Sequence, residues 1–170
     1  EVAGLRWEEI EREKAVWVIP AERHKQRKEV LVPLSAPALA VLDEAEELHP
    51  GSVGPFVSHA GGGTIRRDSL TQSFSRDCER LGIEGRTPHD LRRTGRTAIS
   101  DPERLGFAPH IGEAVLSHAL GNALMRVYDR NAYLTEKRKA LDAWAGEVEW
   151  VVSGGDVGEH HANVLRLHTR

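Results

Sequence analysis

Hydrophobic and polar positions near the start of the chain follow a pattern typical of a β-hairpin. The runs "AVWVIP" (15–20) and "EVLVPL" (29–34) are rich in β-branched and apolar side chains, and the charged stretch "AERHKQRK" separates them. This pattern predicts two antiparallel strands with a basic tip, joined by a loop longer than the tightest hairpin turns. The run "GPFVS" (54–58) predicts a third strand, and three consecutive glycines follow at 61–63.

Helical periodicity dominates the rest of the chain. Apolar residues spaced three and four apart predict a first amphipathic helix over 36–48. Further helices, separated by Gly or Pro, are predicted over 67–81, 88–100, 110–118, 121–130 and 133–146. The opening "EVAGLRWEEI" is typical of the middle of a helix, whereas "EVEWVV" (147–152) alternates as a short strand does. The sequence therefore predicts an α+β fold, mainly α-helical with a small antiparallel β-sheet.

The composition favours one globular domain inside the cell. The chain has 170 residues, of which 39% are hydrophobic and 29% are charged, as in ordinary globular proteins. There is no apolar run of membrane-spanning length, no secretory signal, and a single cysteine, Cys78, which excludes an intramolecular disulfide. We expect a cytoplasmic protein with one domain over 1–152, followed by a flexible, Gly- and His-rich tail over 153–170.

The charges are distributed unevenly. A net charge of −3 is not typical of a general nucleic-acid binder. However, acidic residues concentrate at 8–13 and 43–47, and basic residues concentrate at 23–28, 66–67 and 86–96. This distribution is compatible with one basic face and one acidic face.

The stretch "RTPHDLRRTGRT" has the signals of a helix start with basic side chains around it. Thr87 suits the N-cap, Pro88 the first helical position, and Asp90 the acidic position of a capping box. His89 and Arg92 then share a face in the first turn, where free N–H groups favour an anion. A guanidinium beside an imidazole suits phosphate, although a solvated basic helix end remains an alternative on this stretch alone.

Two further candidates need context before they indicate a function. "AVLSHALGNALMRVYDR" places His118 at the end of one helix and Tyr128 on the next, ten residues later. A tyrosine beside Leu124 and Val127 is more often a core aromatic than a nucleophile. Lys25, at the hairpin tip, can reach a DNA groove with its flexible ammonium, but taken alone it reads better as a solvated turn lysine.

Together, these motifs resemble the catalytic domain of tyrosine recombinases, the phage integrase family, and especially its prophage-type integrases. The resemblance is carried by "HDLRRT", by the spacing "VLSH…Y" and by the hairpin "IPAERHKQRKEVLVPLS". "RVYDRNAYLTEKRKALDAWA" is similar to the tyrosine-bearing end of that domain, and the likeness covers 1–146. It implies the recombinase catalytic-domain fold and site-specific DNA integration through a covalent 3′-phosphotyrosyl intermediate, without a cofactor.

The resemblance assigns catalytic roles residue by residue. Tyr128 would be the nucleophile, and Arg92 one of two arginines that clamp the phosphate. His89 and His118 would be the active-site histidines. Lys25 would protonate the leaving 5′ oxygen.

One part of the family's site is missing from this sequence. "EVAGLRW" resembles the piece that follows the family's first active-site arginine, and Glu1 matches the supporting acidic residue three positions after it. That arginine would lie upstream of Glu1, and the chain begins without Met. We therefore expect a fragment that lacks its N-terminal region, and a DNA-binding module without catalytic activity is the alternative function.

The expected partners follow from the same likeness. They are double-stranded DNA, a homotetramer formed on that DNA, and accessory DNA-bending proteins, all in a bacterial or phage-encoded system without a membrane. The basic residues expected to contact DNA are Arg23, Arg27, Lys28, Arg93 and Arg96.

A metal site and a simple hydrolase are the remaining alternatives. The chain has nine histidines, but His89 and His118 lack the E-x-x-H or cysteine partners of zinc sites, and His160 and His161 lie in the tail. We therefore expect no metal. A nonspecific phosphoesterase would turn over with water and release its product.

Overall fold

A three-stranded antiparallel sheet carries the hairpin. The computed structural model describes residues 1–58, 63–117 and 133–155. The strands are β1 (Ile10–Glu11), β2 (Val16–Ile19) and β3 (Val30–Pro33), paired in that order. In the β2–β3 pair, Val16 is opposite Pro33 and Ile19 is opposite Val30. The hairpin predicted over 15–20 and 29–34 is confirmed.

Five α-helices follow the sheet within the described residues. They are α1 (Ala36–Leu48), α2 (Arg67–Arg80), α3 (Pro88–Ser100), α4 (Pro109–Val115) and α5 (Leu134–Val152). The predicted fold class, mainly α-helical with a small antiparallel sheet, is confirmed. The helix predicted over 121–130 lies outside the described residues. None of the described helices is long and apolar enough to cross a membrane.

Two apolar clusters hold these elements together. The first, built on Leu5, Trp17 and Ile19, lies against the sheet. The second, built on Ile99, Ile111 and Ala140, lies where α3, α4 and α5 meet. Because α5 contacts β3 as well as α3 and α4, it connects the hairpin to α3, the helix that carries His89 and Arg92.

Two glycines allow α3 to approach its neighbours closely. A Cβ at Gly112 of α4 would collide with the hydroxyl of Ser100. A Cβ at Gly95 of α3 would lie 3.3 Å from the ring of Trp144 in α5. Both glycines are buried, so α3 packs closely against α4 and α5.

The predicted helical start of the chain is wrong. Two 3₁₀ turns, Val2–Gly4 and Trp7–Glu9, are separated by an extended Leu5 with φ −61° and ψ 138°. The backbone N–H of Trp7 donates to the carbonyl of Val53 at 3.2 Å. This bond to a distant loop replaces the bond that an α-helix would have made.

The third strand is not the predicted segment 54–58 but β1. Gly54 lies directly against the carbonyl of Leu5, and Pro55, buried beside it, has no N–H to donate. One isolated bridge, Val57 with Thr64, forms here among the described residues. The segment therefore covers the N-terminal turns and does not extend the sheet.

The strand predicted over 147–152 is also wrong, because α5 continues through it. A strand with its valines inward would expose the alternate positions, yet Glu147 is 1% exposed and forms an ion pair with Arg104. Val152 is 81% exposed. The helix ends before Gly154, whose φ of +89° suits glycine at a helix C-terminus.

Candidate active site

The N-terminus of α3 is stabilised by the predicted capping box. The Asp90 carboxylate accepts hydrogen bonds from the N–H and the hydroxyl of Thr87, both at 2.9 Å. These bonds from Thr87 hold the pKa of Asp90 below its ordinary value. Pro88 occupies the first helical position. His89 and Arg92 consequently lie in the first turns of a fixed helix, and both are exposed.

Arg92 reaches from α3 to the end of α4. Its Nη2 donates to the backbone carbonyl of Leu116, the C-cap residue of α4. Ser117 follows with a left-handed backbone, φ 56°. His118 comes next in sequence, and both His118 and Tyr128 lie outside the described residues. Arg92 therefore lies beside the chain segment that leads into His118.

The hairpin loop approaches the same point from the sheet. The carbonyl of Pro20 accepts hydrogen bonds from the N–H groups of Arg23 at 3.0 Å and His24 at 3.2 Å, which folds the loop back on itself. Gln26 then donates from Nε2 to the carbonyl of Ser117 at 3.4 Å. Lys25, next to it in sequence, is exposed. Three separate segments therefore meet at Leu116 and Ser117.

Glu1 lies against the base of this loop. Its Oε1 is 3.7 Å from Nε2 of His24, a residue that is 6% exposed. Its carbonyl accepts a hydrogen bond from Nη2 of Arg23 at 2.9 Å. The start of the chain is thereby fixed next to the residue that precedes Lys25.

Arg23 is held by a buried carboxylate. Its Nη1 pairs with Glu9, whose side chain is 4% exposed and also accepts from Nε1 of Trp17 at 3.0 Å. Burial by itself raises the pKa of Glu9, but hydrogen bonds from Arg23, Trp17 and the N–H of Arg6 outweigh it and lower that pKa. This geometry favours a structural role for Arg23, and its DNA contact stays a prediction.

The other expected DNA-contacting residues differ in how strongly they are held. Arg96 donates from both Nε, at 2.9 Å, and Nη2, at 2.6 Å, to Oε1 of Glu113. Arg93 makes a longer contact of 3.4 Å to Asp90 and keeps 73% of its side chain exposed. Arg27 and Lys28 are exposed on the hairpin loop. On α3, Arg96 is therefore held more tightly than Arg93.

Sequence reasoning missed two anchors of α5. Lys137 is buried, and its Nζ donates to the carbonyl of Leu31 in β3. Arg138 donates to the carbonyls of Lys14 at 2.8 Å and Ala15 at 3.3 Å. Burial lowers the pKa of Lys137 to about 8. In "TEKRKA" these residues read as ordinary solvated charges, so no local signal identifies them.

The missed anchors bear on the site because α5 follows the segment that contains Tyr128. They fix the start of α5 to the sheet that carries Lys25. Gln26 was missed for the same reason, since its partner Ser117 is 91 residues away. Within 1–58, 63–117 and 133–155, no three His, Cys, Asp or Glu side chains are grouped closely enough to hold a metal ion.

Comparisons with known proteins identify a family for the chain. The model of the family described as "Phage integrase family" matches residues 1–132. Prophage integrase IntA of Escherichia coli (strain K12) is 33% identical over 165 residues, which cover 96% of this chain and 38% of that protein. Prophage integrase IntZ of the same strain is 28% identical over 155 residues, covering 91% and 37%.

A third relative is more distant. The integrase of Shigella phage Sf6 is 24% identical over 146 residues, which cover 85% of this chain and 37% of that protein. The chain thus spans less than two fifths of the length of each of these relatives. No solved structure matches the chain at a significant level.

Proposed function

The chain belongs to the phage integrase family, and from this membership we propose that it performs site-specific DNA recombination by transient covalent strand cleavage. One observation carries the proposal. Arg92 and Gln26, from α3 and the hairpin loop, bond to the consecutive carbonyls of Leu116 and Ser117. This brings the phosphate-binding helix and the lysine loop together immediately before His118.

The proposed chemistry exchanges one phosphate ester for another. The phenol oxygen of Tyr128 attacks the phosphorus of a DNA phosphodiester, and the bond from phosphorus to the 5′ oxygen breaks. The products are a 3′-phosphotyrosyl link and a free 5′ hydroxyl. Because the covalent link retains the ester, a 5′ hydroxyl from another strand can displace the tyrosine and restore the DNA without ATP.

Proton transfer requires a base for the phenol and an acid for the leaving group. A free phenol has a pKa of about 10, so it needs a nearby acceptor as it attacks. We assign that role to His89. Lys25 delivers a proton to the 5′ oxygen, and the described loop contact through Gln26 directs it towards the end of α4.

In this proposal, side chains and not a metal supply the positive charge that stabilises the phosphate. The guanidinium of Arg92 can donate two parallel hydrogen bonds to non-bridging oxygens, and His118 adds a third donor. The arginine that the family places upstream of Glu1 would complete this clamp. Glu1 itself, held beside His24, supports the loop that carries Lys25.

Recombination also sets the proposed partners. Joining two duplexes requires four strand cleavages, so four protomers are assembled on double-stranded DNA, one tyrosine for each strand. Accessory DNA-bending proteins would help to bring the two sites together, because bending a short duplex costs several kcal/mol, on the order of 1–6.

The test of this function is trapping of the covalent adduct. The full-length gene product is incubated with a nicked duplex whose binding site has been selected from random-sequence DNA. The nick lets the short 5′-hydroxyl fragment diffuse away, so the adduct accumulates and is detected on a denaturing gel. We expect the adduct with the unmodified protein and its loss in Tyr128→Phe.

Tyr133→Phe is the matched control. Tyr133 has a left-handed backbone with φ 62°, packs on the α3–α4–α5 cluster and lies 5.1 Å from the ring of His110. It therefore packs, partly buried, against the core, and Tyr133→Phe is expected to keep the adduct. An adduct that survives Tyr128→Phe and disappears in Tyr133→Phe refutes the assignment. DNA binding without any adduct supports a binding module. Cleaved DNA that is released without an attached protein supports a phosphoesterase.

A further inference from the structure

A second, separate arginine cluster lies on α3. A groove of about 290 Å³ is lined by polar and charged side chains, namely Arg86, Asp90, Arg93, Thr94, Thr97 and Arg104. The residues at 90, 93, 94 and 97 follow helical spacing, so the groove runs along one side of α3. Arg92 projects from a different side, about 100–160° round the helix from these four positions, whereas His89 lies about 40° from Arg93.

The charges in the groove do not cancel. Three guanidinium groups face one lining carboxylate, Asp90, whose Oδ2 is committed to Thr87 by two hydrogen bonds. Arg104 forms an ion pair with the buried Glu147. Even with both carboxylates counted, one positive charge remains in the groove of a chain whose net charge is −3.

Two of the arginines are accessible to a ligand. Arg86 is exposed, and 73% of the Arg93 side chain is exposed, with a contact of 3.4 Å to Asp90. The hydroxyl of Thr97, exposed one helical turn along from Arg93, supplies a further donor. The lining thus offers two guanidinium forks and a hydroxyl, which is the donor set that a phosphate accepts.

We propose that this groove binds a backbone phosphate of the DNA duplex, away from the phosphate that is cleaved. Arg86 and Arg93 lie at the same end of α3 as His89, so a duplex bound at the His89–Arg92 end can also reach these two arginines. Such a contact fixes the register of the helix on DNA without reading its sequence. The proposal rests on the DNA-binding function given above and adds a second contact point to it.

The experiment compares two variants of the full-length gene product that remove arginine charge. The groove variant, Arg86→Gln/Arg93→Gln, removes two of the three arginine charges that line the groove. Arg104 is kept, because it pairs with the buried carboxylate of Glu147. Arg76→Gln/Arg80→Gln is the matched control, because it also removes two exposed arginine charges, both on α2, and Arg80 lies 3.7 Å from Asp77 at the same three-residue spacing. Binding to the selected duplex is measured as a function of salt concentration.

Each phosphate contact contributes about 0.9 to the slope of log affinity against log salt concentration. We therefore expect the groove variant to lose about 1 from that slope, and the slope of Arg76→Gln/Arg80→Gln to stay unchanged. Equal changes in both proteins would show a general charge effect and overturn the proposal. If the groove variant keeps its salt slope but self-associates more weakly, the groove holds a carboxylate of a second protomer. That result would also overturn the proposal.

A second measurement locates the phosphate. Single methylphosphonates, which remove one phosphate charge, are placed at successive positions in the duplex. We expect one position, distinct from the cleaved phosphate, at which the methylphosphonate weakens binding by the unmodified protein. At the same position it should not weaken binding by the Arg86→Gln/Arg93→Gln variant any further. Additive losses at every position would refute the site. An adduct that still forms through Tyr128 in that case shows that the recombinase function stands without it.

Discussion

Arg92 is the described residue whose replacement best separates DNA binding from cleavage. Arg92→Ala is expected to slow adduct formation a few hundredfold, since removing one transition-state donor typically costs about 3–4 kcal/mol. Affinity for the duplex should fall much less, because one backbone contact among several is lost. Single-turnover cleavage and equilibrium binding are measured on the same duplex. Arg76→Ala, an exposed arginine on α2, is the control, and equal losses in binding and cleavage would reduce Arg92 to a DNA anchor.

Lys25 is expected to act as the acid for the leaving 5′ oxygen. Lys25→Ala should therefore cleave an ordinary duplex slowly but recover on a duplex with sulfur at the 5′ position, because a thiolate leaves without protonation. The cleavage rates of the two substrates are compared for Lys25→Ala and for Lys28→Ala on the same loop. Lys28→Ala should show no specific recovery. If the sulfur substrate fails to restore the cleavage rate of Lys25→Ala, the lysine serves as a contact to a DNA groove.

At the residue scale, local signals located some site positions and could not locate others. Thr87, Pro88 and Asp90 mark a helix start within four residues, so the positions of His89 and Arg92 were predictable. The partner of Gln26 is 91 residues away, and the carbonyl that holds Lys137 is 106 residues away. A contact of that separation depends on the whole fold, and nothing in the adjoining residues announces it.

At the scale of elements, α5 depends on one buried ion pair near its C-terminal end. Arg104, in the connection from α3 to α4, pairs with Glu147, whose side chain is 2% exposed. Arg104→Met is expected to lower the free energy of unfolding by about 3 kcal/mol, because it removes the positive charge of Arg104 from beside a buried carboxylate. Arg104→Met/Glu147→Met should recover much of that loss. Urea unfolding measures both, and a double variant as unstable as Arg104→Met would contradict the pairing.

The elements themselves were predictable to the extent that their signals are local. Alternation identified β2 and β3, and helical periodicity placed α1 over its full length. β1 has two residues and exists only through its pairing with β2, so no run of sequence could indicate it. The alternation at 147–152 was misleading for two reasons. The helix that begins at Leu134 continues through this segment, and Glu147 is buried in an ion pair with Arg104, which a hydrophobicity pattern does not reveal.

At the scale of the whole molecule, Lys137 links stability to pH. Burial lowers its pKa to about 8 from an ordinary value of 10.5. Between these values the unfolded chain holds more protons than the folded chain, so the free energy of unfolding rises with pH across that window. The rise is at most about 3 kcal/mol.

The measurement is urea unfolding at pH values from 7.5 to about 10.5, the range set by the two pKa values. Lys137→Met should flatten the rise, and Lys139→Met, at an exposed neighbouring position, should keep it. A Lys137→Met chain with the same pH dependence as the unmodified chain would mean that water reaches the ammonium in the folded state.

The bond from Arg92 to the carbonyl of Leu116 has a consequence for the thermodynamics of DNA recognition. A free arginine side chain carries about 2 kcal/mol of rotamer entropy, which an exposed guanidinium would lose when it grips a phosphate. Here one of five N–H donors already holds the fork in place, so much of that entropy is lost when the protein folds. DNA therefore meets a preorganised donor with four N–H groups still able to bond, and binding at this position should be favoured by enthalpy with a small entropic penalty.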